Sequence, residues 1–598
     1  MKKDNLIMFC VAGYKFFKGS IFMKSKQTFM KRKFNGLLIS GTVTMMVVTI
    51  LMISDTIIAG ATLGKAAVEG INLVTPVYSL AAFFGSIFST GVPILYNGEM
   101  GKFNKNGADK SFGLGLTMTT AIGGILFAVL MIFGDSYLDF YKTTSEVFEF
   151  SKDYFFWYKF TILILPLSML MSEMVFADGD EALSTAAGLA QFFGNIAISL
   201  LLCKPFGIAG IGFGSFAGTV LSIAVSLLHF LRKSNSLKMN FYLSGKMIFS
   251  VVKYSIVDAG TYLFIALLAA VLNKFVTAAY GENMLILVSV VMLIKELQVL
   301  FDGIGSAMTP IITIYLSENS FGGVKKMWAL AKKTAIIEGI AMTVIGVLLI
   351  APLLPYVFGV TDAVTAGYVA GSMRVVSIGF TFTSLIFLAS SYYLLVDKIP
   401  LAFVMCALRD VIFAIPLAIA MGSAFGIYGM FAGLAIASAA AYGITMLYIR
   451  RKYGKDNYPL LIKEKEDEVL SFFYEITIEP ESVIALQEEI DGELEKNGID
   501  KRIIGRIKLL IEELYMLIYE KNGKKPVLGE CTMIIDNGVS LITKDDGVLL
   551  DLAEEDTASG TIGEYLISNY MRTLPGKQHL VTMSYNRNVF EIKTEGNA

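Results

Sequence analysis

Apolar residues run in long blocks through the first three quarters of the chain. A helical bilayer span needs about 20 predominantly apolar residues. Roughly twelve such stretches follow one another, at 35–60, 66–96, 112–134, 152–176, 182–203, 206–231, 247–276, 283–316, 329–357, 364–396, 400–421 and 424–449. Past Tyr453 the pattern changes. A charged run, Lys463-Glu464-Lys465-Glu466-Asp467-Glu468, precedes about 130 residues in which shorter alternating and amphipathic segments take over. Their periods predict a strand (472–479), two helices (481–497, 500–521), two strands (530–536, 539–544), a helix (561–572) and two closing strands (579–585, 588–594). The expected architecture is an all-α polytopic membrane protein of about twelve transmembrane helices in two six-helix lobes, followed by a two-layer α/β domain with a mostly antiparallel sheet.

Two landmarks divide the apolar region. Phe206-Gly207-Ile208-Ala209-Gly210 recurs as Phe425-Gly426-Ile427-Tyr428-Gly429, and each copy closes on basic residues, Arg232-Lys233 and Arg451-Lys452. The same 219-residue offset links both pairs, which reads as a tandem duplication of a membrane-spanning unit. The resulting divisions are a basic amino-terminal segment (1–34), a first lobe (35–231), an inter-lobe linker (232–246), a second lobe (247–452), a charged linker (453–469) and the tail domain (470–598).

Composition agrees: 55% of residues are apolar, 17% are charged and the mean hydropathy is +0.63, outside the range of a water-soluble globular chain. The net charge of −1 suggests no nucleic-acid partner, although the first 33 residues are basic and the end is mixed and acidic. Cys10, Cys203, Cys406 and Cys531 share no CxxC spacing, so neither a disulfide framework nor a metal site is expected. The amino-terminal apolar patch is too short and too lysine-rich for a secretory signal, and Met23 is an alternative beginning. Basic residues alternate between loops. One set holds Lys102, Lys105, Lys110, Arg232, Lys238, Lys325, Lys333 and Lys398; the opposite set is short or acidic, with Asp135, Asp139, Glu146, Glu149 and Asp153. The positive-inside rule then puts both termini in the cytoplasm of a cell-membrane protein.

Ionisable groups inside hydrocarbon cost roughly 2.5–3.5 kcal/mol or more unless they face a cavity or a partner, so they mark candidate sites. Asp55, late in the first stretch, can take a proton or a hard cation and so couple an ion to a conformational change. Asn195 stands in the fifth stretch. In the second half Asp258, Lys295, Glu296, Asp302 and Arg374 lie at membrane depth. Lys295 and Glu296 are neighbours that cannot face each other on a helix, so charges on other helices are their expected partners.

Ser54-Asp55-Thr56-Ile57-Ile58-Ala59-Gly60-Ala61-Thr62-Leu63-Gly64 resembles the first-helix signature of the MATE (multidrug and toxic compound extrusion) family. Pro76, Gly85, Gly91, the loop Asn97-Gly98-Glu99-Met100-Gly101-Lys102 and the Phe206 repeat are similar to that family too. The resemblance covers about residues 35–452. It implies two lobes in a V and efflux of amphiphilic or cationic small molecules driven by H+ or Na+, without a required cofactor. The family's first-helix Asp falls on Asp55 and its fifth-helix Asn on Asn195. The Asp that follows one turn later is Ser199 here, which puts weight on Asp55.

The tail resembles the GHKL ATPase fold of histidine kinases and anti-sigma factors. Ile511-Glu512-Glu513-Leu514 is similar to the helix with the acidic residue, Asp545-Asp546-Gly547 to the adenine box, and Ser559-Gly560-Thr561-Ile562-Gly563 to the lid hinge. The resemblance implies an ATP or ADP site at Glu513, Asp545, Gly547, Gly560 and Gly563. The metal-binding Asn of that group is replaced by Leu517, which argues against hydrolysis and for a regulatory domain that contacts a cytoplasmic protein.

The chain has no G-x-x-x-x-G-K-[ST] loop, and its two histidines, His229 and His579, form no cluster in sequence. A P-loop pump on this chain, a metal centre and a histidine-based catalytic set are therefore not expected; the reading is a transporter, not an enzyme. Two alternatives accompany it: a lipid-linked oligosaccharide flippase, which would want a cationic cavity, and a transporter-like sensor signalling through the tail.

Overall fold

The structure is a computed structural model that describes residues 27–593 apart from 102–103, 141–144, 233–234, 282–283, 285, 359, 361, 537, 551–566, 568–576 and 581–582. It divides into two compact units. The larger comprises Phe34–Ser471 with His579–Met583; the smaller comprises Met1–Lys33, Phe472–Gln578 and Ser584–Ala598.

The first lobe of the larger unit contains α1 (Phe29–Thr62, whose first turn belongs to the smaller unit), α2 (Lys65–Gly101), α3 (Lys105–Phe140), α4 (Ser145–Ala177), α5 (Glu181–Phe206) and α6 (Ile208–Leu227). The second contains α7 (Gly245–Tyr280), α8 (Ile286–Gln298), α9 (Asp302–Ser317), α10 (Phe321–Ile345), α11 (Ala351–Val357), α12 (Ala363–Ser377), α13 (Phe380–Leu395), α14 (Ile399–Ala407) and α15 (Ala414–Tyr453). Among the described residues eight helices are long and apolar enough to cross a membrane, nine if the bent pair α12 and α13 counts as one span. Twelve were expected from hydropathy. Three of the expected stretches are not counted as spans of their own. The stretches 400–421 and 424–449 both fall in Ile399–Tyr453, which a kink at Gly426 divides; the 283–316 stretch is divided by a 3₁₀ turn at Val299–Phe301; and the 35–60 stretch, in α1, is not among the eight.

The sequence repeat marks a repeated bend. Gly207 has φ 58° and ψ −140°, and Gly426, 219 residues on, has φ 71° and ψ −158°. Both lie in a region open essentially to glycine alone. Three residues later the chains double back so closely that a Cβ on Gly210 would strike the backbone of Leu202, and one on Gly429 the backbone of Met421. The two lobes thus share one device: a glycine reverses the chain, and a second lets the reversed helices touch.

Each lobe has its own apolar core. Ile58, Val74, Phe155, Ile162 and Ile211 belong to that of the first, and Leu272, Val290, Phe301, Phe380 and Phe431 to that of the second. Beyond α15 the chain is tied to the second lobe by Tyr392, whose hydroxyl donates to the Leu460 carbonyl at 2.8 Å, and by Tyr393, which donates to Pro459 at 3.1 Å. Lys325 pairs with Glu466 of α16 (Lys463–Glu468).

In the smaller unit α17 (Pro480–Lys496) and α18 (Lys501–Lys521) cover a five-stranded sheet of β1 (Leu470–Ile478), β2 (Val527–Ile535), β3 (Gly538–Asp545), β4 (Lys577–Leu580) and β5 (Met583–Lys593), in the order β1-β2-β3-β5-β4. The helical period of α18 buries Ile503, Ile504, Ile507, Leu510, Ile511 and Leu514 against Met533, Leu541 and Phe590. β3 pairs antiparallel with both neighbours. One boundary is corrected: the break expected between 585 and 588 is absent, and β5 runs through it, in register from Asp545↔Asn586 to Gly538↔Lys593. Asn586, left between the two expected strands, and Asn588, at the start of the second, are both buried ladder residues. The helix expected at 561–572 falls outside the described residues apart from Ile567. The start of α1 belongs to this unit: Arg32 Nη1 lies 2.7 Å from Asp546 Oδ2, and Phe29 meets Tyr585 edge-on at 5.7 Å.

Candidate ion-coupling site and central charges

Asp55 is buried in the last two turns of α1, and three other helices bring donors to it. Tyr154 of α4 donates to Oδ2 at 2.8 Å, Asn195 of α5 donates from Nδ2 to Oδ1 at 3.1 Å, and Ser215 of α6 donates to Oδ2. Asn195 also donates to the Ser215 hydroxyl at 2.8 Å, and Ser54 donates to Asn195 Oδ1 at 3.3 Å. A buried carboxylate needs its oxygens satisfied, and here the donors recorded at both oxygens are neutral. Such a cage holds the group in place while leaving its charge to be compensated by a proton or a small cation. Ser199 is fully buried and donates to the Ile211 carbonyl at 3.4 Å, so it takes no part in the cage.

Among the described residues the second lobe has no copy of this arrangement. At the 219-residue offset Tyr154, Asn195 and Ser215 correspond to Met373, Ala414 and Leu434, which belong to its apolar core. Its buried charges are organised differently. Lys295 Nζ lies 2.7 Å from Asp410 Oδ1, while Arg409 Nε and Nη2 donate to the same carboxylate at 2.9 and 2.5 Å. Arg409 also stacks its guanidinium 4.4 Å from the Phe387 ring centroid. Adjacent residues can share this bond because Leu408–Ile412 is a π-helical turn, a local widening frequent at functional sites. A small cavity beside Lys295 is bordered by Gln298, Thr383 and Ser438.

Asp258 of α7 comes within electrostatic reach of Glu173 at the end of α4 and of Asp302 at the start of α9. Glu296 lies within reach of Tyr78 and Tyr262. Carboxylates from both lobes therefore gather in one region. Arg374 is exposed in the last turn of α12, and the structure brings it to none of these groups.

In the tail, Asp545 is fully buried. Its Oδ1 accepts from the Gly547 amide at 3.0 Å and from Asn586 at 2.9 Å, and its Oδ2 has no hydrogen-bond partner among the described residues. Burial pushes its pKa up to about 6, against the opposing effect of those two bonds. Glu513 is half-buried on α18, and Leu517, one turn on, packs on the tail core. Gly560 and Gly563 lie outside the described residues.

Sequence reasoning did not find Tyr154, Ser215, Glu173 or Asp410. Hydroxyls in apolar helices carry no local signature, whereas Glu173 and Asp410 are acids inside expected spans and meet the criterion that singled out Asp55. Comparing the two halves at the 219-residue offset would have exposed Tyr154 and Ser215, because there the repeat pairs a polar residue with an apolar one.

The fold defined by these observations is that of a membrane-embedded protein of several spans, built from two repeated helical lobes. Residues 42–201, within the first lobe, match the family model MatE. A crystal structure of MATE in the bent conformation superposes with a TM-score of 0.63, covering 71% of this chain and 95% of its own, at 16% identity. The outward-facing conformation of a multidrug resistance MATE family transporter of the MOP superfamily gives 0.62, 71%, 96% and 17%. A MOP superfamily transporter from Pyrococcus furiosus Vc1, described by a reversed polarity of its binding pocket, gives 0.62, 71%, 96% and 17%. No curated protein matches the sequence. At these identities the structural likeness is one of fold: the membrane unit has the MATE transporter fold, and its first lobe carries the MatE sequence pattern.

Proposed function

We propose that this chain is a secondary-active exporter of amphiphilic or cationic small molecules, an antiporter driven by H+ or Na+ and coupled at Asp55. The observation that carries the reading is the neutral cage of Tyr154, Asn195 and Ser215 around that carboxylate. Binding a cation or proton there changes the charge of a group held by four helices, which is a physical means of biasing two packings of a lobe. The gathered carboxylates Glu173, Asp258, Glu296 and Asp302 favour a cationic passenger and disfavour the pyrophosphate of a flippase substrate. The orientation with both termini in the cytoplasm follows from the basic loops.

The tail is best read as a GHKL-like regulatory domain that does not turn ATP over. Asp545 Oδ2 is a buried acceptor with no partner among the described residues, suited to an adenine amino group, but Leu517 stands where a metal ligand would be needed. Its partners are then an adenine nucleotide or a cytoplasmic protein.

The test is gradient-driven accumulation of an organic cation in vesicles. Asp55→Asn keeps the volume and removes the titratable charge, so transport should fall to background while the protein still folds. Unchanged transport would move coupling to the second lobe, where Asp258 and Glu296 are next.

A further inference from the structure

Apart from the Asp55 cage, the first lobe holds a second closed polar cluster, centred on His229. This residue sits with no exposed surface in the 3₁₀ turn Leu228–Leu231 that ends the lobe. Each ring nitrogen faces a different carboxylate: Nδ1 lies 2.9 Å from Asp180 Oδ2, and Nε2 lies 2.8 Å from Asp178 Oδ2. A neutral imidazole has one N–H and one lone pair, and a lone pair aimed at an ionised carboxylate is repelled. With both carboxylates ionised, both contacts are attractive only when both nitrogens carry protons.

The two aspartates, in the turn between α4 and α5, hold further groups. Asp180 accepts from Arg232 Nη1 at 2.7 Å and from the Leu183 amide at 3.4 Å. Asp178 accepts from the Ser236 amide at 2.8 Å, from the Ser236 hydroxyl and from Tyr96 of α2 at 2.6 Å. Lys105 of α3 donates to the Ser236 carbonyl and pairs with Asp109 at 2.9 Å. Arg232 and Ser236 belong to the linker between the lobes. Beyond them Leu237 is buried, and the Tyr242 amide donates to Thr117 Oγ1 of α3 at 3.1 Å. With His229 charged, the two aspartates are balanced by His229 and Arg232. Without that proton the cluster gains a net negative charge and one repulsive contact in a buried place.

We propose that His229 is a proton-binding site that fastens the inter-lobe linker to the first lobe: protonated, it clamps Asp178 and Asp180, and loss of the proton releases Arg232, Ser236 and Tyr242. The linker is held at the lower pH and freed as pH rises. The inference does not depend on transport or on its coupling ion.

The chain has two histidines, so ¹⁵N-imidazole NMR of the full-length protein in micelles reads the site directly, with His579→Gln assigning the signals. While the linker is protected from trypsin, both His229 nitrogens should carry protons; a lone-pair signal from either one in that state overturns the proposal. Trypsin provides the mechanical readout, as cutting at Arg232 and Lys238 normalised to cutting in the 463–468 run. Asp178→Asn and His229→Gln should each raise this ratio about tenfold, since cleavage follows the population of the opened segment. In the wild type the ratio should rise over the pH range in which the NMR signal loses its proton. A ratio that ignores both the substitutions and pH overturns the clamp. Should the variants fail to fold, the two wild-type measurements decide.

Discussion

Asp55 differs from an ordinary buried carboxylate in the neutrality of the groups recorded on it. Removing one donor should change its ion affinity more than the fold. Tyr154→Phe and Ser215→Ala each leave an oxygen short of one hydrogen bond, a loss of about 1–3 kcal/mol for a charged acceptor. Vesicle transport should therefore need a shifted ion gradient or pH for half-maximal rate, while thermal stability in detergent stays close to wild type. An unshifted ion dependence in both variants would remove the cage from the coupling site. Asp545 in the tail makes the opposite case. Burial raises its folded pKa to about 6, from an ordinary 3.8. A raised folded pKa means that the protonated form is favoured by folding, so this contribution is full below about pH 4 and lost as pH rises through 6. Asp545→Asn should abolish that loss and stabilise the tail above pH 6 by up to about 3 kcal/mol. The check is the tail's thermal transition in the full chain, followed from pH 4 to 8.

At the scale of elements, what matters most is where helices stop. Gly207 and Gly426 have backbone angles that an L residue adopts only at a cost of about 1–3 kcal/mol, so Gly426→Ala should lower the melting temperature of the membrane unit. Gly429→Ala adds a different penalty, since its Cβ meets the Met421 backbone, which cannot rotate away as a side chain would. Gly443→Ala, where nothing lies within 4 Å of the added carbon, is the control and should be neutral. Equal melting of all three would show that neither bend is constrained as described. The π turn at Leu408–Ile412 is another such stop. It turns two neighbours, Arg409 and Asp410, onto each other and toward Lys295, an arrangement that regular helical spacing forbids.

For the whole molecule, the two lobes share a backbone plan but not a chemistry. The plan is repeated at Gly207 and Gly426, whereas the cage of the first lobe is replaced by Met373, Ala414 and Leu434 in the second. Ion coupling confined to one lobe is the expected outcome. Topology is tested independently: a reporter that folds only outside the cell, fused after Ala598, should be inactive, and activity would reverse the orientation drawn from the basic loops. The tail's chemistry is tested by metal-dependent ATP turnover in the purified protein. No turnover is expected, and turnover lost on Glu513→Ala would establish an ATPase.

Much of this architecture is written locally. Long apolar blocks announce helices in a bilayer, because backbone groups in hydrocarbon can be satisfied in few other ways, and the repeated Phe-Gly-Ile motif announces the two lobes and their bends. The amphipathic period of α18 is equally plain, since its apolar residues recur at helical spacing. Asp55 and Asn195 stood out because polar groups are expensive in lipid. What sequence could not supply is partnership. That Asp55 meets Tyr154 and Ser215, that Lys295 turns to Asp410 rather than to an acid nearer in sequence, and that His229 lies between Asp178 and Asp180 are decided by contacts between residues 49 to 160 positions apart. Nothing in the local pattern encodes such contacts. Asn586 shows the same limit in the tail: the local pattern leaves it between two strands, and pairing with β3 makes it strand. Tertiary packing decides there because the hydrogen bonds of a ladder, and the burial that comes with them, outweigh a preference worth about 1 kcal/mol.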